Sequence, residues 1–366
     1  MKGRQFIGID VSKSSLDVCI HSLQAFAKFD NNERGIKMLI EWLIIEHDFK
    51  KQSLFFVFEH TGLYAYQLAG MLDEQGLLFS IKSGLELRLS LGIQRGKTDK
   101  LDAQKIALYA YRRQDELEPT RLASKTLRML KSLLSLRERM VKQRAGYKAS
   151  LKEMKQFLNQ AGFKIIHQAQ QKMIDELGKQ IKTLEQELLK IIKADQTLKQ
   201  QFELLQTIKG IGPQTAYFLI VTTQAFTKFS SARKFASYSG IAPFAYQSGS
   251  SINGRNRVSH LANKKLKSLL QQCALSAIKH DQEMRVYYLR RLEKGKHKMS
   301  TINVIKNKLV TRAFAVIKRK SPYVDIGQAT FILAYTISPS TFSIGTTFVE
   351  ANICCHWKSN TPEQHP

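Results

Sequence analysis

Ser53-Leu54-Phe55-Phe56-Val57-Phe58-Glu59 is an almost unbroken apolar run that ends on a carboxylate. A strand with one wet face alternates apolar and polar residues, so a run without alternation predicts a central strand covered on both sides. Upstream, Phe6-Ile7-Gly8-Ile9, Leu16 to Ile20 and Ala25 to Phe29 are three further β-like runs, followed by a helix with Ile36, Leu39, Ile40 and Leu43 on one face. Downstream, a short helix around Tyr64 to Asp73 leads to a strand at Leu77 to Ile81, and another helix starts near Thr98. Hairpin strands followed by strand-helix units predict a mixed sheet with helices on its faces.

That α/β region, residues 1–120, has the order of a ribonuclease-H-like layout. Residues 121–206 read differently, as long helices rich in Lys, Glu, Gln and Leu. Ile174, Leu177, Ile181, Leu184, Leu188 and Ile191 follow alternating steps of three and four, the a/d seam of a coiled coil, with Gly162 at the turn between two antiparallel helices. The seam suits a spacer packed within one chain and a dimerisation arm equally. Residues 207–321 form a mainly helical, basic region. From Leu204 to His280 there is no Asp or Glu, while Lys209, Lys228, Arg233, Lys234, Arg255, Arg257, Lys264, Lys265, Lys267 and Lys279 all fall there. A solvated surface mixes both signs, so this one-sign segment points to phosphates. Residues 322–366 change composition again and read as an appended tail.

The chain of 366 residues carries 57 Lys+Arg against 30 Asp+Glu, a formal charge of +27. Such a field attracts polyanions and makes nucleic acid the first partner to expect. No stretch approaches the roughly 18 apolar residues of a membrane span and no signal peptide is evident, so a cytoplasmic location without a membrane partner is expected. Cys19, Cys273, Cys354 and Cys355 have no zinc-type spacing and read as reduced and structural.

Four carboxylates stand where chemistry can use them. Asp10 closes the first strand and Glu59 the central one, while Asp99 and Asp102 share one face at the start of a helix. Taken alone, Thr98 and Asp99 are ordinary helix-start residues and Asp10 an ordinary turn residue. Glu59 is harder to dismiss, because a carboxylate ending SLFFVF is costly to desolvate without a partner. Together the four make the oxygen-rich set expected for Mg²⁺ in phosphodiester chemistry, and Lys97 in the preceding basic loop is placed to meet a phosphate.

In the basic region, Leu205 to Ala216 (LQTIKGIGPQTA) contains a Gly-x-Gly hairpin, in which Lys209, Gly210 and Gly212 are candidate phosphate contacts. Tyr238 to Arg257 is rich in Ser and Gly, a composition that ordinarily means a flexible loop. A serine there becomes a nucleophile only if its proton is removed and the phosphate neutralised. Arg255 and Arg257 suit the second need, with Lys264 and Lys265 following; no base lies nearby.

IGIDVSK, FEHTG, GKTDKLDA, GIGPQTA, SGIAPFAYQSGSS and YYLRRLEKGK occur in this order over about Gln5 to Ser321. In this the chain resembles the DEDD transposases of the insertion sequence 110 family, 1111 subgroup, which are bridge-RNA-guided serine recombinases. The resemblance implies a RuvC-like domain whose metal tetrad is Asp10, Glu59, Asp99 and Asp102. It implies that Ser248 attacks a DNA phosphodiester and becomes joined to it. It further implies element-end and target DNA, a guide RNA and a homo-oligomer, dimer or tetramer, as partners. The chain departs from the family pattern at His260-Leu261-Ala262-Asn263, at Thr301 to Lys306 and after Ser321. Two other readings of the same residues are a RuvC-like junction nuclease without a covalent intermediate, and a nucleic-acid-binding relic without activity.

Overall fold

A computed structural model describes residues 3–91, 98–154, 162–248, 252–258 and 262–324, with backbone alone at 91, 245–248 and 252–257. The chain divides into two compact units, 1–139 and 140–366.

Unit one is built on a five-stranded mixed sheet. Its strands are β1 (Gln5–Val11), β2 (Ser15–Ile20), β3 (Ala25–Asp30), β4 (Leu54–Glu59) and β5 (Leu78–Lys82), in the order β3-β2-β1-β4-β5. The hairpin neighbours β1, β2 and β3 pair antiparallel, whereas β1, β4 and β5 run parallel. Parallel pairs need crossovers, and these are the helices α1 (Glu33–Glu41) and α2 (Leu63–Glu74). A helix α3 (Gly84–Leu91), not anticipated from the sequence, follows β5, and α4 (Asp99–Arg112) starts at the expected position with Thr98 as N-cap.

Alternation along each strand sorts the side chains between two cores. Ile7, Ile9, Val11, Leu16, Val18, Ile20, Leu54, Phe56 and Phe58 face α1 and α2, meeting Ile36, Leu39, Ile40, Leu43, Leu68 and Leu72. Phe6, Phe55 and Val57 point the other way, against Ile106, Tyr109 and Ala110 of α4, while Cys19 packs on Ala103 and Ala107. The apolar run 54–58 is wholly buried, as its lack of alternation predicts.

Gly8 sets the distance of α4 from the sheet. A Cβ there would overlap the Ala107 amide nitrogen and crowd the Ala103 carbonyl oxygen, so the helix lies directly on the strand backbone. Ala103 and Ala107, both fully buried, permit the same approach from the helix side.

A long helix α5 (Lys125–Met154) spans the boundary between the units. Unit two continues with α6 (Phe163–Ala194), α7 (Gln196–Gln206), α8 (Pro213–Thr222) and α9 (Ala232–Tyr238), then the strands β6 (Pro243–Ser248) and β7 (Ile252–Val258), then α10 (Lys264–His280), α11 (Gln282–Glu293) and α12 (Lys298–Arg319). Gly162 caps α6, and Gln170 donates to Ser150 Oγ at 3.1 Å across the two antiparallel helices. Ile174, Ile181 and Leu188, one heptad apart, are buried, and Leu177, Leu184 and Ile191 are half-buried. That burial is within the single chain.

The Ser- and Gly-rich stretch corrects one expectation. It is not irregular: β6 and β7 pair antiparallel from Pro243↔Val258 to Ser248↔Ile252, with a bulge between Phe244 and Tyr246. Small polar residues lower the apolar signal of a strand, but backbone pairing does not require apolar side chains. Cys19 and Cys273 are buried free thiols, as expected, and Cys354 and Cys355 lie outside the described residues. No helix among the described residues is long and apolar enough to cross a membrane. The tail from 325 onward also lies outside the described residues.

Candidate active site

The acids of unit one meet at the carboxyl ends of the strands, on the face that α4 covers. Asp10 follows Phe6 and Gly8 on that face of β1, and Glu59 follows Phe55 and Val57 on the same face of β4. Ile9 pairs with Phe58, so one step further along Asp10 and Glu59 are lateral neighbours. On the other side Asp10 pairs with Asp17 of β2, which shares its face with Cys19. Asp17 pairs in turn with Lys28, and Glu59 with Lys82. One row across the sheet therefore reads Lys28, Asp17, Asp10, Glu59, Lys82, three carboxylates between two lysines.

Asp99 and Asp102 join this row from α4. Their helix is fixed at Ala103 and Ala107 over Gly8, and its first turn continues toward Asp10. Both belong to the group of acids that raises the proton affinity of Asp10. Burial is the main cause of that rise, followed by the negative charges of Asp102, Asp99, Asp17 and Glu59. All four acids inferred from the sequence thus act on one another electrostatically.

Each member is held separately. Lys105 Nζ lies 2.8 Å from Asp102 Oδ1, and Lys28 Nζ lies 3.5 Å from Asp17 Oδ2. Asp17 is almost wholly buried and accepts from Ser15 Oγ at 3.3 Å. Glu59 rests against Gly84 at the start of α3, where a Cβ would overlap Glu59 Oε1. Gly84→Ala should therefore displace this carboxylate without touching the core. The expected result is unchanged melting with DNA cleavage slowed about 10- to 100-fold, as for groups that orient a metal ligand; cleavage at the native rate would show that the carboxylate position is unimportant.

Asp17, Lys28, Lys82 and Gly84 were missed from the sequence. Asp17 hides inside a β-like run, where its one signal is a charge at an otherwise apolar strand position. Lys97 lies outside the described residues.

The donor set fits a hard divalent cation: every ligand offered is a carboxylate oxygen, and a cation would relieve the like-charge repulsion felt by Asp10. Among the described residues no three such side chains stand in metal-holding geometry as they are. Lys105 on Asp102 and the exposed position of Asp99 account for this.

In unit two the candidates separate. Gly210, at φ +99°, packs on α10, where a Cβ would crowd the Cys273 carbonyl at 2.7 Å and Ala277 Cβ at 2.9 Å. Its glycine is accounted for by helix packing rather than by approach to a phosphate. Gly212 is open on its Cβ side and caps α8. Lys209 has a partner within the chain, Lys264 is exposed at the start of α10, and Lys265 Nζ lies 5.7 Å from the Phe218 ring centroid. Ser248 ends β6, and Arg255 and Arg257 lie on β7; their side chains are outside the description. Ser239, by contrast, is fully buried and donates to the Phe235 carbonyl at 2.7 Å, which makes it structural.

Comparison with known proteins agrees with this division. Residues 202–289 match the family described as "Transposase IS116/IS110/IS902 family", and residues 7–162 match a second model described as "Transposase", that of the DEDD transposases of IS110. The pilin gene-inverting protein of Moraxella bovis is 30% identical over 328 residues, covering 87% of this chain and 98% of the relative. That of Moraxella lacunata aligns with the same identity and coverage. An uncharacterised 43.6 kDa protein of insertion element IS110 from Streptomyces coelicolor is 30% identical over 115 residues, 31% of this chain and 28% of the relative. The chain therefore belongs to the IS110 family of transposases, enzymes that cut and rejoin DNA.

Proposed function

We propose that this transposase is a serine recombinase in which Asp10, Glu59, Asp99 and Asp102 of a RuvC-like domain hold Mg²⁺ and Ser248 is the nucleophile. The observation that carries the reading is the shared face: three strand-end carboxylates in one row, with two more reaching them from α4. When bound, the ion supplies Lewis-acid stabilisation of charge on the phosphate oxygens.

The chain's own groups do the rest. Ser248 Oγ gives up its proton and forms a bond to phosphorus, and the bond from phosphorus to the leaving sugar oxygen breaks. That oxygen takes up a proton, and the serine phosphodiester conserves the bond energy for rejoining. Neither β6 nor β7 carries an Asp, Glu or His, so the proton must leave to a group elsewhere. This favours a homo-oligomer, dimer or tetramer, in which one protomer's acids serve another's serine. Arg255 and Arg257 on the facing strand offset the phosphate charge, and Lys97, Lys209, Gly212, Lys264 and Lys265 contribute backbone contacts to element-end and target DNA. A charge of +27 is ample for a guide RNA as well as DNA.

The test is a denaturant-stable protein-DNA adduct, formed from a DNA junction, flanking RNA and Mg²⁺. Wild type should give the adduct and Ser248→Ala none, with DNA binding retained. Cutting by Ser248→Ala at the wild-type rate would instead mean a junction nuclease in which water does the cleavage.

A further inference from the structure

Lys306 is the one buried lysine among the described residues, 4% exposed on α12 between Ile305 and Leu309. Lysines are almost never buried without a partner. Here α12 contains no Asp or Glu, and neither does any residue from Leu204 to His280, so α8, α9 and α10 supply no counter-charge. The nearby acids Asp281 and Glu283 are both engaged by Arg312, at 2.6 and 2.5 Å. Among the described residues no hydrogen bond or ion pair reaches the Lys306 ammonium. The charge that acts on it is another cation, Lys267 of α10, which with burial lowers its affinity for its own proton.

The position of this charge is informative. Asn303 and Asn307 flank Lys306 on the same helix, and both donate to the Ile241 carbonyl, at 2.7 and 3.1 Å. Two residues later the chain enters β6, which ends on Ser248. One helix thus anchors the serine-bearing hairpin and buries an uncompensated ammonium beside its root.

We propose that Lys306 and Lys267 form an anion pocket for a backbone phosphate of the DNA strand handled by the hairpin. In naming DNA this rests on the recombinase reading; the pocket itself does not. A buried ammonium without a partner is unfavourable in the free protein, and a phosphate supplies the missing charge. The pocket therefore trades stability of the empty protein for a phosphate contact in the loaded one.

The experiment measures melting of the full chain in sodium chloride and in inorganic phosphate at matched ionic strength. Wild type, Lys306→Met and Lys298→Met are compared, the last being an exposed control on the same helix. Lys306→Met should melt a few degrees higher than wild type in chloride and lose at least half of the phosphate-induced rise, which Lys298→Met keeps. An equal rise in all three would mean surface screening only and overturn the pocket. Should Lys306→Met not fold, Lys267→Met, at a half-exposed position, gives the same readout. A phosphate response that follows Lys306, together with no wild-type adduct on DNA, would retain the pocket and reject the recombinase.

Discussion

Asp10→Asn is expected to make the metal-free protein more stable at neutral pH and to abolish DNA cleavage. Asp10 is held above the ordinary carboxylate range by burial and by four neighbouring acids, so folding at neutral pH forces a charge on it that the unfolded chain carries more easily. The sign follows: the wild type has its full share of stability from this group below the ordinary carboxylate range and loses it as pH rises through the raised value. Asparagine cannot ionise and removes that loss. Melting curves of wild type and variant should therefore diverge as pH rises from 4 to 7, with the variant higher, and coincide at the acidic end. Cleavage should fall by on the order of 10³-fold, since a metal's charge stabilisation is worth several kcal/mol and 1.36 kcal/mol is tenfold in rate. A variant that is less stable at pH 7 would mean that Asp10 is not crowded by like charge. One that cuts normally would remove Asp10 from the site.

Gly8→Ala should be severe in a different way. The methyl group would meet backbone atoms of Ala103 and Ala107, which cannot turn aside as a side chain does. Either the helix lifts or the strand shifts, at a cost of about 1–3 kcal/mol or more for overpacking a close-packed interior. Lifting α4 also carries Asp99 and Asp102 away from Asp10, so activity should be lost even under conditions where the variant stays folded. Denaturant unfolding monitored alongside Mg²⁺-dependent cleavage separates the two effects. A stable, active Gly8→Ala would contradict the close helix-strand contact on which the arrangement of acids depends.

The legible part of the fold was what local patterning controls. SLFFVFE announced a doubly covered strand because burial on both faces removes alternation. Thr98 announced a helix start because its hydroxyl accepts from Leu101 N, the usual cap. The seven-residue spacing of Ile174, Ile181 and Leu188 announced a buried stripe. The hairpin β6–β7 escaped because its residues are small and polar, and α3 because its apolar residues suit more than one reading. Lys306 read as one more surface cation, since nothing in Val304-Ile305-Lys306-Asn307 tells which side of a helix another helix will cover.

For the acids the division is sharper. By itself the sequence determined that Asp10 and Glu59 end strands, that Asp99 and Asp102 share a helical face, and that the second half of the chain is starved of negative charge. These are properties of neighbours along the chain. Which strands lie side by side, and in what register, depends on pairings between distant segments. Only the tertiary structure decided that Asp17 sits opposite Asp10, that Gly84 backs Glu59, and that Gly8 lets α4 bring two more carboxylates to the same edge. Period-two alternation fixes a side chain's face within its own strand, but it is packing of the whole sheet that brings those faces together.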